Sequence, residues 1–174
     1  MPRVSHTGQT MNFFYFDESI QERAGFMIGT FVHSETDLTP AVFEAIAAAG
    51  LAPGADEFKS GMRMDGCREY AAARESLREL LRGRRIGLVV VPADCRADLG
   101  AEALTGLEKI IRANGLTASA HNVYFDQGIN ISSNAIALFR ARVAVPCTFF
   151  LNQDSKAVGG GDSSWQTWRL TRWA

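Results

Sequence analysis

Tryptophan is absent from the first 164 positions of this sequence, and then Trp165, Trp168 and Trp173 fall together in the closing stretch GDSSWQTWRLTRWA. Other scarcities exclude more. The three cysteines, Cys67, Cys95 and Cys147, are odd in number and far apart, which fits neither a disulfide framework nor a zinc site. His6, His33 and His121 are equally scattered, so a reduced, cytoplasmic setting is the expectation. A net charge of -1 gives no overall field, and a nucleic acid or anionic surface would have to be held by a local patch. No apolar run approaches the roughly 18 to 20 residues of a membrane span, which excludes a membrane partner of that kind. The opening MPRVSHTGQT lacks the hydrophobic block of a signal peptide, so residues 1–11 read as a loose leader, with Met11 an alternative start.

What is present is a chain of 174 residues, close to half apolar, the size of one domain with a real core. NFFYF (12–16) and GFMIGTFVH (25–33) are apolar runs with a short polar link, the pattern of an antiparallel hairpin. Thr39 and Pro40 stand at N-cap and first-turn positions ahead of AVFEAIAAAG, a short helix stopped by Gly50. EFKSGM is too short to assign. CREYAAARESLRELLRG predicts a long helix ended by Gly83, with Glu75 and Arg78, and Glu79 and Arg82, at i,i+3 spacing. IGLVVV (86–91) predicts a buried strand, AEALTGLEKIIRANG (101–115) a helix, and NVYF (122–125) another strand. SSNAIALFRAR (132–142) predicts a helix capped by Ser132 or Ser133, followed by the strand VAVPCTFF, whose Pro146 points to a sheet edge. The alternation describes an α/β domain, a mixed sheet with helices packed on its faces.

Two aspartates share a local context: Asp17 directly follows FFYF and Asp126 directly follows VYF. Asp94, three residues past VVV, is placed in similar style. Acids emerging from strand ends can hold magnesium or manganese, hard cations that prefer carboxylate and water oxygens. Two such ions about 4 Å apart can activate a water and stabilise the leaving oxygen of a phosphodiester. Strand-end aspartates are also common as turn residues, bonding nearby backbone amides, and Asp17 in FDES can be read as a cap of the hairpin link.

The order of motifs discriminates between these readings. FYFDES near the start, EFKSG about 40 residues on, VYFDQG and finally QDSK together resemble the bacterial family catalogued as domain of unknown function 3800, over roughly residues 12 to 160. The resemblance implies a ribonuclease H-like fold, a mixed β-sheet with helices on its faces, and a nuclease dependent on Mg²⁺ or Mn²⁺. It implies Asp17, Glu57 and Asp126 as catalytic acids and metal ligands, with Asp154 a further ligand and Glu18 a second-line candidate. Lys59 and Lys156 are implied as contacts to phosphate or to a carboxylate. The glycine usual after the family's serine is Ile20 here.

The family helix that follows D-S-K opens G-[IL]-Q-L-A-D-L and carries the last acid; this chain has the tryptophan-rich tail instead. The genetic code connects the two. Joining the third base of each codon from Gly161 onward to the first two of the next permits G-[FL]-Q-L-A-D-L-A-A-H-T-V-G, and the single tryptophan codon of Trp165, read into Gln166, forces the alanine of Q-L-A-D. The expectation is therefore 1–11 leader, 12–161 ribonuclease H-like domain, and 162–174 an aberrant tail in a shifted frame, with activity weakened or lost. The other readings of WQTWRLTRW are a basic-aromatic segment for membrane surfaces or nucleic acid, or an expression remnant.

The arginines of RELLRGRR, Arg78, Arg82, Arg84 and Arg85, read as a solvated helix end before a phosphate-binding patch. His121 reads as structural before general base, and GGG at 159–161 has no lysine following at phosphate-loop spacing. The functional expectation is phosphodiester hydrolysis with two divalent metals and nucleic acid as partner. Its rival is a non-catalytic binding or scaffold domain of a mobile-element or defence system, in which the acids are structural.

Overall fold

The computed structural model describes residues 10–53, 55–56, 66–126 and 129–153. Strand β1 (Met11–Gln21) is apolar on both sides of its alternation from Phe13 to Phe16. That pattern belongs to a strand covered on both faces. Phe14 and Phe16 enter one buried cluster, Phe13 and Tyr15 another.

The expectation that Asp17 ends this strand needs correction. The strand runs on through Asp17 to Gln21 because β2 (Phe26–Ser34) supplies an antiparallel partner at every position, from Phe13 opposite Ser34 to Gln21 opposite Phe26. Cross-strand pairing here outweighs the poor strand propensity of Asp17, Glu18 and Ser19. What stops at Phe16 is the other ladder, the parallel pairing of β1 with β4 (Ala120–Asp126), which runs from Met11 opposite Ala120 to Phe16 opposite Phe125.

Among the described residues five strands form one mixed sheet in the order β3-β2-β1-β4-β5. Strand β3 (Arg85–Pro92) is antiparallel to β2, and β5 (Cys147–Gln153) is parallel to β4. Pro146 adjoins an edge strand as expected, but Val143–Pro146 stays outside it and β5 begins at Cys147.

Helices α3 (Leu99–Ala113) and α4 (Ser133–Arg142) cover one face, burying Leu104, Leu107, Ile111 and Phe139 against Phe14, Phe31, Val123 and Phe125. On the other face lie α1 (Thr39–Ala48) and α2 (Arg68–Leu81), joined through Val42, Ile46, Ala73 and Leu77. Leu38 with Leu80 and Leu81 closes that layer on Phe13, Tyr15, Val32 and Tyr124. Ser132 caps α4, its Oγ accepting from the Ala135 amide at 3.1 Å. At α1 Thr39 is the first helical residue and not the expected N-cap, which is Leu38; two residues before Thr39, Asp37 Oδ1 accepts from the Thr39 amide at 2.9 Å and from its hydroxyl at 2.7 Å. Helix α3 closes on Gly115, whose φ of 65° is the left-handed conformation glycine adopts without strain.

Candidate functional site

Side chains alternate along a strand, so the cluster membership of Tyr15 and Tyr124 fixes where Asp17 and Asp126 point. Tyr15 and Tyr124 are opposite one another in the parallel ladder, with stacked rings 5.3 Å apart, and Tyr124 stacks in turn on Phe150 of β5 at 4.6 Å. Two residues further along each chain come Asp17 and Asp126, on this same face and on neighbouring strands, one step past the last parallel pair. Adjacent strands are about 4.8 Å apart. Both acids are half-buried, above a floor of three aromatic rings.

The location follows from topology as well as pairing. From β1 the chain proceeds to β2 and β3 on one side of the sheet, and from β4 it proceeds to β5 on the other. The crevice outside the ends of β1 and β4, where connections diverge, is where open α/β sheets bind their ligands. A bulge lies beside it: Tyr124 is opposite Phe150 but Asp126 is opposite Gln153, so β5 carries one extra residue there. Bulges re-aim side chains and are common next to active sites.

The floor is held by hydrogen bonds invisible in the sequence. The Tyr15 hydroxyl accepts from the Leu38 amide at 3.0 Å and donates to Asp37 Oδ1 at 3.1 Å. Burial pushes the Tyr15 phenol well above its ordinary range, and burial does the same to Tyr124, so both rings stay neutral. Asp17 Oδ1 accepts from the Glu18 amide at 3.0 Å, which orients the carboxylate and also fits the turn-like reading of this residue.

Other candidates fall elsewhere. Glu18 alternates to the face that carries Phe16, away from Asp17 and Asp126. Asp94 follows β3, two strands from β1, and its carboxylate acts on Cys95, whose thiol it raises above the ordinary range. His121 is fully buried with Nε2 at 3.0 Å from the Leu116 carbonyl, near the opposite end of β4 from Asp126, in a structural role. Burial raises the Cys147 thiol to about 11, which makes it a poor nucleophile. Arg78 and Arg82 pair with Glu75 and Glu79 at 3.7 and 2.6 Å on an exposed helix surface.

Glu57, Lys59, Asp154 and Lys156 lie outside the described residues, as does the tail from 162 to 174. Asp154 follows in sequence directly on Gln153, the partner of Asp126. Among the described residues no group of three or more His, Cys, Asp or Glu is arranged to hold a metal ion; Asp17 and Asp126 make a pair. That pair offers hard oxygen donors from two rigid strands, the donor type that Mg²⁺ and Mn²⁺ prefer. No helix among the described residues is long and apolar enough to cross a membrane. No family model matches the chain, and no curated protein does.

Proposed function

We propose that this chain is a ribonuclease H-like domain that hydrolyses phosphodiesters, with Asp17 and Asp126 as the central ligands of a divalent metal site. The observation that supports this reading is the register of β1 and β4, whose last parallel pair, Phe16 opposite Phe125, is followed on each strand by one of these aspartates. The sheet supports it too, an antiparallel run of three strands continued through β1 into two parallel ones. Glu57 and Asp154 would complete the acidic set, and Lys59 and Lys156 would contact phosphate.

Bound Mg²⁺ or Mn²⁺ would supply a nucleophilic water and stabilise the leaving oxygen. The chain's own contribution is placement. The β1 and β4 backbones hold the carboxylates, the Tyr15–Tyr124–Phe150 floor keeps water from beneath, and no neutral phenol competes as base.

The test is a titration of Mn²⁺ followed by thermal unfolding and by cleavage of single- and double-stranded nucleic acid. Like-charged carboxylates on neighbouring strands repel, so a cation between them should raise the melting temperature. Asp17→Asn should remove both the metal-induced shift and any cleavage, while leaving the metal-free protein as stable or more so. Cleavage undiminished in Asp17→Asn would refute the assignment. If metal stabilises the protein and no cleavage is found, replacing residues 162–174 by the family sequence with its Q-L-A-D-L should restore activity.

A further inference from the structure

Strand β3 is an edge whose only charge and proline, Arg85 and Pro92, stand at its two ends. Natural sheets protect an open edge with an inward charge, a proline, a bulge or a covering element. Between Ile86 and Val91 there is no charge and no proline, and the pairing with β2 runs from His33–Arg85 to Phe26–Pro92 without a register shift. Among the described residues no strand pairs with its outer side.

Its two faces differ sharply. Val89 and Val91 are buried under α3, and Gly87 lies so close to Ile110 that a side chain there would collide with it. On the opposite face Ile86, Leu88 and Val90 are 55%, 64% and 64% exposed, three of the four large apolar side chains most open to solvent among the described residues. An exposed apolar stripe of this kind along an open edge is a template for another strand.

The geometry points to a second copy of this chain as the occupant, paired β3 to β3 in antiparallel fashion about a two-fold axis normal to the sheet. Charge at the strand's two ends makes the edge self-complementary in that direction and no other. Arg84 and Arg85 precede the apolar segment, and Asp94 and Asp98 follow it, with Arg96 between them. Antiparallel pairing sets the arginines of one copy beside the acids of the other, twice, whereas parallel pairing would set like charge against like. The two-fold also keeps both Ile86–Leu88–Val90 stripes on one face, where they form a single apolar strip across the seam. The result is one sheet continuous across the seam, ten-stranded among the described residues. This inference is independent of the chemistry assigned to Asp17 and Asp126.

The test is the mass of the full chain in solution across the micromolar range, by light scattering or sedimentation, without added metal. The expected result is a dimer of twice 19.0 kDa, which Leu88→Lys with Val90→Lys converts to a monomer. Both positions are exposed, so the variant should retain the far-ultraviolet circular dichroism of the parent. As a second readout, Arg85→Glu should weaken dimerisation about tenfold, and Asp94→Arg in the same chain should recover it. A parent that is monomeric throughout, or a dimer indifferent to these lysines, overturns the proposal. In particular, a monomer whose lysine variant melts lower would assign the stripe to the chain's own residues, with segment 154–174 the first to delete.

Discussion

Asp17 and Glu18 are adjacent acids with opposite consequences, because one step along a strand turns a side chain to the other face. Asp126→Asn should therefore abolish stabilisation by Mn²⁺ as Asp17→Asn does, whereas Glu18→Gln should keep it; a thermal shift series in Mn²⁺ distinguishes the three. His33 gives a separate handle. Burial lowers its pKa to about 4, aided by Arg85, His121 and Arg84 and opposed by Glu35. His121 is lowered in the same direction by burial. In the unfolded chain a histidine titrates near 6.5, so between about 6.5 and 4 the unfolded state binds the extra proton and gains on the folded state. Stability should be level above that window and fall as pH drops through it. Melting temperatures at neutral pH and near pH 5 check this, and His33→Gln should flatten the difference.

Helix α3 owes its position to two glycines that let it approach its neighbours. A side chain at Gly106 would strike Val89 of β3, and one at Gly100 would strike the backbone carbonyl of Asn130. Val89 is short and branched with little freedom to turn aside, and the carbonyl has none. Gly100→Ala should cost about 1 to 3 kcal/mol by overpacking, despite the better helix propensity of alanine, measured by denaturant unfolding. The elements themselves were legible in the sequence: the apolar runs at 12–16, 86–91 and 122–125 lie within strands, 25–33 does so from Phe26 on, and the i,i+3 pairs of α2 form as read, but 86–91, expected to be buried, is open on the face of Ile86, Leu88 and Val90 because β3 is an edge. Pairing was less so. Asp17, Asp94 and Asp126 carry nearly the same local signal, and only the strand order separates them, setting β4 beside β1 and β3 two strands away. That order depends on contacts distant in sequence. The Tyr15–Asp37–Leu38 bonds were equally illegible, because nothing local links a strand tyrosine to a turn more than twenty residues later.

At the scale of the whole molecule, the sheet is built from a local part and a remote part. The β1–β2–β3 meander is complete by Pro92, but the parallel ladder joins Met11 to Ala120, a separation of 120 − 11 = 109 residues. On a ribosome the 126 − 92 = 34 residues from Pro92 to Asp126 take roughly 2 to 7 s at ordinary elongation rates. Throughout that interval the side of β1 destined for β4 has no partner strand, and Phe14 and Phe16 lack Val123 and Phe125 to pack on. Nascent chains should therefore be most prone to aggregate when stalled between about residues 92 and 126 outside the exit tunnel. Arrested chains of graded length, assayed for solubility with and without a trigger-factor type of chaperone, should show a maximum of chaperone dependence in that span and a sharp fall once β4 has emerged. The strand that organises the finished sheet is thus the one that synthesis leaves exposed the longest, and the yield of folded protein is set by how it is sheltered in the meantime.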